Sequence, residues 1–147
     1  MRNLNHVDHD KDFYAWTKQT VQLLREGRIN EVDIKNIAEE IEDMGNSNKR
    51  GVVSQLSRLI AHLLKWEYQP ALRSNSWKNT IDSSRIEITD FFADSPSLKN
   101  EVSLKFEVAY QKALRTASNE TGIEVKNFPK DCLFTLDQCL DDSFLPN

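Results

Sequence analysis

The side chains best suited to chemistry are His62, in the most apolar helix-period run of the chain, and Glu40 and Glu42 in the segment before it. Helical bundles build metal sites from carboxylates and imidazoles on facing helices. A short turn between the two segments would therefore offer His62 with Glu40 or Glu42 as the start of a metal-dependent hydrolytic site. The spacing matches no known motif. There is no Glu-x-x-His pair and no His-Glu-x-x-His helix, and Glu67 and Asp12 are the only further ligands to suggest. His6 and His9 with Asp8 and Asp10 form a weaker chelating group in an N-terminal segment that reads as a solvated arm. Cys132 and Cys139 lack a histidine neighbour and a second pair to complete a zinc site. No Gly-x-Ser-x-Gly elbow or glycine-rich phosphate loop is present, so the thiols read as reduced packing groups. No cofactor is expected.

Two other kinds of function compete with this one. Residues 47–89 have a net charge of +4 between flanks of −4 each, although the whole chain is at −4. Lys49, Arg50, Arg58, Lys65, Arg73, Lys78 and Arg85 alternate there with Trp66, Tyr68 and Trp77. Cations that meet phosphates and rings that stack on unpaired bases are the elements of a nucleic-acid surface. Helices of opposite charge that neutralise each other give the same pattern. The third reading leads: a protein–protein or self-associating module, in which Ile86, Leu104, Val108 and Leu114 lie off the apolar stripes and form partner surface. The candidate functional residues are Glu40, Glu42, His62, Trp66, Glu67, Arg73, Trp77 and Arg85. The expected partners are another protein or a second copy, with nucleic acid as the alternative.

The elements that must position these residues follow from periodicity. A chain of 147 residues has the length of one domain and buries roughly 70% of its unfolded surface. Four glycines and four prolines leave little turn chemistry for a many-stranded sheet, so the class is all-α. The first helix follows Asp10 or Asp12, presents Phe13, Trp16, Thr17, Thr20, Val21, Leu23 and Leu24, and stops at Gly27. A second carries the stripe Ile34, Ile37, Ala38, Ile41 and Met44 and stops at Gly45. The third packs Val52, Leu56, Leu59, Ile60 and Leu63 and ends before Pro70. Helices two and three then form a tight antiparallel hairpin. A fourth helix, capped by Asn75 or Ser76, presents Trp77, Ile81, Ser84, Ile88, Phe91 and Phe92, with Arg85 on its shoulder. Asp94-Ser95-Pro96 opens a fifth, with Leu98, Val102, Phe106, Ala109, Tyr110, Ala113 and Ala117, that ends near Gly122.

Residues 123–147 have no single period and read as an irregular strap with a short helix opened by the capping box Thr135–Gln138. The expectation is one compact bundle of about five helices, with residues 1–11 as a flexible arm. No window suits a membrane span and the N-terminus has no apolar export core, which points to the cytoplasm.

Five segments together carry a family resemblance: Asp12-Phe13-Tyr14-Ala15-Trp16, residues 36–45, residues 62–70, Ser76-Trp77 and residues 94–98. Over nearly the whole chain they resemble the bacterial family catalogued as domain of unknown function 29. The resemblance implies a small all-helical bundle. It implies no activity and maps no catalytic residue.

Overall fold

Asp12 accepts a hydrogen bond from the Ala15 amide at 3.1 Å and so caps α1, Phe13–Arg25, which satisfies one of the amides that a helix start leaves unpaired. The helix stops at Gly27, whose φ of 71° carries no Cβ penalty. The Gly27 amide bonds the Leu24 carbonyl at 3.0 Å and the Arg28 amide the Leu23 carbonyl at 2.9 Å, a Schellman closure. A 3-10 turn, Ile29–Glu31, leads on. The computed structural model describes residues 6–147, and among them the chain is all-α, with no strand.

The hairpin expected between helices two and three does not form. One helix, α2, runs from Ile34 to Tyr68 for 35 residues. Gly45 stays in the right-handed region, since positive φ among the glycines is confined to Gly27 and Gly122. A glycine inside a helix costs only about 1 kcal/mol against alanine. With no proline after it and helix-tolerant residues on both sides, that cost does not break the helix. Asn46 and Ser47 are therefore interior positions and not caps.

The remaining α-helices among the described residues are α3, Asn75–Asp94; α4, Leu98–Leu104; α5, Phe106–Thr121; and α6, Leu136–Leu140, with 3-10 turns at Pro70–Leu72 and Val125–Asn127. Ser74, rather than Asn75 or Ser76, caps α3, by accepting the Trp77 amide at 3.2 Å. The single fifth helix of the sequence reading is two helices, because the backbone leaves helical geometry at Lys105, with φ −100° and ψ 8°. Gly122, at φ 77°, ends α5 as expected.

Contacts divide the chain into two units, one ending at Gly45 and the other Asn46–Asn147. In the first, Trp16, Thr20 and Leu23 are buried. The segment before α1 is tied down: the Val7 amide donates to Gln19 at 3.0 Å, and the His9 ring stands edge-on to Trp16, with centroids 4.7 Å apart. The first five residues of the expected arm lie outside the described residues.

The second unit has the principal core. Val52, Leu56, Leu59, Ile60 and Leu63 from α2 pack with Ile81 and Ile88 of α3, Val102 of α4 and Tyr110 of α5. Fully burying a residue of this kind stabilises by about 1.5–3 kcal/mol. Ala109, Ala113 and Ala117 line the buried face of α5, and Leu114 joins them at 3% exposure. Leu114 is therefore core and not partner surface.

Two buried polar groups hold the strap. The Tyr110 hydroxyl donates to the Pro129 carbonyl. Arg85, 1% exposed, donates to the carbonyls of Cys139 and Phe144, both at 2.8 Å, and of Asp142 at 3.4 Å. The Thr135 capping box forms: the Gln138 amide donates to Thr135 Oγ1 at 3.1 Å, and Gln138 Oε1 accepts from the Thr135 amide at 3.0 Å.

Candidate functional site

The eight candidate residues take separate roles. Glu40 accepts from His9 Nε2 at 2.7 Å, and Asp10 lies 2.8 Å from His9 Nδ1. Hydrogen bonding to Asp10 first and Glu40 second holds the imidazole above its usual pKa of 6.5. Glu42 is exposed on α2. The meeting of Glu40 or Glu42 with His62 required the chain to reverse at Gly45, and on a continuous helix it does not. Among the described residues no three His, Cys, Asp or Glu side chains converge as ligands. His62 Nδ1 instead takes its own helix, 2.9 Å from the Arg58 carbonyl, and burial pushes its pKa below 6.5.

Arg73 and Trp66 do come together. The guanidinium lies 5.0 Å from the Trp66 ring centroid, and Nε donates to the Trp66 carbonyl at 2.8 Å. A cation is thus placed on a carbonyl of the last turn of α2, at the negative end of the helix dipole. Trp77 receives a different cation. Lys65 Nζ is 4.8 Å from its centroid and 2.8 Å from Glu120, so this buried lysine is doubly compensated. Glu67 is half-buried, and its Oε2 is fully covered without a hydrogen-bond partner among the described residues. Arg85 serves the strap.

The basic segment is rearranged accordingly. Lys65, Arg73 and Arg85 are used within the fold, and Lys49 lies 3.7 Å from Glu101. Arg50 and Arg58 instead line two adjoining clefts against Lys105, at the α4–α5 junction, and Lys112 and Arg115 of α5. These three lie outside the basic segment 47–89. On the helical wheel of α5 Lys112 flanks the alanine stripe and Arg115 falls behind it, a signal legible for two of the three.

A second feature lies in the first unit. Ile34, Ile41 and Met44, read as a core-facing stripe, are 64%, 59% and 61% exposed. Ile41 and Met44, with Ile37 beside them and Phe13, Val21 and Leu24 of α1 opposite, line an apolar groove of about 630 Å³. Two helices with one short turn are too small to surround such a stripe.

Among the described residues, no helix is long and apolar enough to cross a membrane. No curated protein and no solved structure matches this chain. The family model described as domain of unknown function DUF29 matches residues 9–145, and the chain belongs to that family.

Proposed function

We propose that the chain is a self-associating helical module, in which the apolar groove of α1 and the start of α2 receives the same groove of a second copy. The observation that carries this is the groove itself: Phe13, Val21, Leu24, Ile41 and Met44 on adjacent helices, with water on their outer side. Isolated exposed apolar side chains such as Ile86 and Leu104 are ordinary. A groove continuous over two helices is not.

Charge favours a second copy as the occupant. The charged residues of α1 are Lys18 and Arg25, both cationic, whereas positions 34–45 of α2 set Glu39, Glu40, Glu42 and Asp43 against Lys35. A two-fold axis that lays α1 of one copy along α2 of the other pairs opposite charges twice and buries both stripes. The product is a four-helix arrangement, which encloses a core that two helices cannot.

Sedimentation velocity on the full chain tests the reading. Wild type should sediment as a dimer, and Ile41→Glu with Met44→Glu should sediment as a monomer with an unchanged far-ultraviolet spectrum. A wild type that remains monomeric at high micromolar concentration would overturn it. So would a dimer indifferent to both substitutions.

A further inference from the structure

We propose that the cleft between α2 and α5 binds a chain of phosphate groups through its backbone charge, without reading bases. The cleft is separate from the apolar groove and lies wholly in the second unit. Its larger part, about 710 Å³, places Arg58 of α2 opposite Lys112 and Arg115 of α5, with the hydroxyls of Ser54 and Thr116 on its walls. Lys112 also lines an adjoining hollow of about 230 Å³ that adds Arg50 and Lys105. The two form one cationic track.

The charges on this track are uncompensated. Glu120, the carboxylate of the larger cleft, is held by Lys65 at 2.8 Å. Among the described residues, Arg50, Arg58, Lys105, Lys112 and Arg115 form no ion pair. Five cations gathered on facing walls repel one another in the free protein, and an anion relieves that repulsion.

The spacing selects the ligand. Arg50 and Arg58 are eight residues apart, about 12 Å along the helix axis, and Lys105 and Arg115 span a comparable length on the other wall. One phosphate cannot reach all of these, whereas successive phosphates of an extended chain can. The hydroxyls donate to phosphate oxygens as the cations do. No Phe, Tyr or Trp lines either part, and the one ring there, the His62 imidazole, is tied to the Arg58 carbonyl of its own helix at 2.9 Å, so successive bases find no stacking platform and recognition stops at the backbone.

Two sources share this chemistry: a single-stranded nucleic acid and inorganic polyphosphate. Fluorescence anisotropy with labelled oligo-dT and oligo-U, and competition by polyphosphate and by polyglutamate, separates them. With five phosphates engaged on a single strand, affinity should fall about 10²-fold between 50 and 200 mM salt. Arg58→Ala, Lys112→Ala and Arg115→Ala together should weaken binding at least tenfold at 50 mM salt. These side chains are exposed, so the thermal midpoint should not move. Lys126→Ala with Lys130→Ala, on the strap, is the control and should bind as wild type does.

If both oligonucleotides bind alike, the ligand is a nucleic-acid backbone. If only polyphosphate binds, it is the free polymer. Absence of binding to any phosphate chain overturns the proposal. So does equal loss in the control variant, or displacement by polyglutamate as readily as by polyphosphate, which would mark the cleft as an acidic-protein surface. The single variant Lys112→Ala, with its side chain shared by both parts, repeats the test with the least perturbation of the fold.

Discussion

The Nε of Arg85 donates to the carbonyl of Cys139 at 2.8 Å, across 54 residues of chain. One buried cation on α3 thus collects three carbonyls of the C-terminal segment, and among the described residues no carboxylate joins it in an ion pair. Hydrogen bonds from a charged donor contribute about 1.5–3 kcal/mol each, and a buried carbonyl left unpaired costs about as much as a lost bond.

Arg85→Met should therefore destabilise the protein by about 3 kcal/mol or more in urea titration. The amides of residues 136–144 should lose exchange protection before those of α2. Arg85→Lys should recover little, since a single ammonium cannot reproduce the planar fork that reaches Cys139 and Phe144 together.

The two interior glycines of α2 should respond oppositely to alanine. A Cβ at Gly45 meets nothing within 4 Å, whereas one at Gly51 falls 3.0 Å from Cζ of Phe91. Gly45→Ala should stabilise by about 0.5–1 kcal/mol through helix propensity. Gly51→Ala should show none of that gain, and thermal melts of the pair read the difference.

His9 and His62 should titrate on opposite sides of pH 6.5, as followed by the proton resonances of their rings. His9 is raised by Asp10 and Glu40, so its contribution is full below 6.5 and is lost as pH rises through its folded value. His62 is lowered by burial, so its contribution is full above 6.5 and is lost as pH falls through its folded value. Glu40→Gln should bring the His9 midpoint down and leave that of His62 in place.

Both thiols should resist modification in the native protein. Burial pushes Cys132 up to about 11 and Cys139 up to about 12, so little thiolate exists at neutral pH. Reaction with a disulfide reagent should be slow when folded and rapid for both cysteines in denaturant.

Ser84 is 1% exposed, and its hydroxyl has no hydrogen-bond partner among the described residues. Burying an unpaired hydroxyl costs about 1–3 kcal/mol by protein mutational measures. Ser84→Ala should raise stability by about 1 kcal/mol, seen as a higher midpoint with an unchanged denaturant slope.

Local rules made much of the fold legible. The Asp12 cap, the Gly27 and Gly122 stops, the end of α2 before Pro70, the Thr135 capping box and the arc from Val52 to Leu63 depend on residues within a few positions of each other. The misreadings have local causes too. Gly45 and Gly27 look alike in sequence, and what separates them is whether the chain beyond closes on the last carbonyls, as Arg28 does on Leu23. The break at Lys105 falls within an apolar pattern that runs through it.

The candidate site was less legible, because its residues owe their roles to distant partners. Trp66 and Arg73 are near enough in sequence to be grouped together. That Arg85 faces the strap, that Lys65 lies between Trp77 and Glu120, and that Arg58 faces Lys112 and Arg115 all depend on which helices pack. By itself the sequence determined the helical class, most helix ends and the central apolar arc, because propensity, capping and periodicity act over a turn or two. The tertiary structure alone decided which cations are buried and paired and which remain on an open face, because charge compensation is set by distance in space and not by separation along the chain.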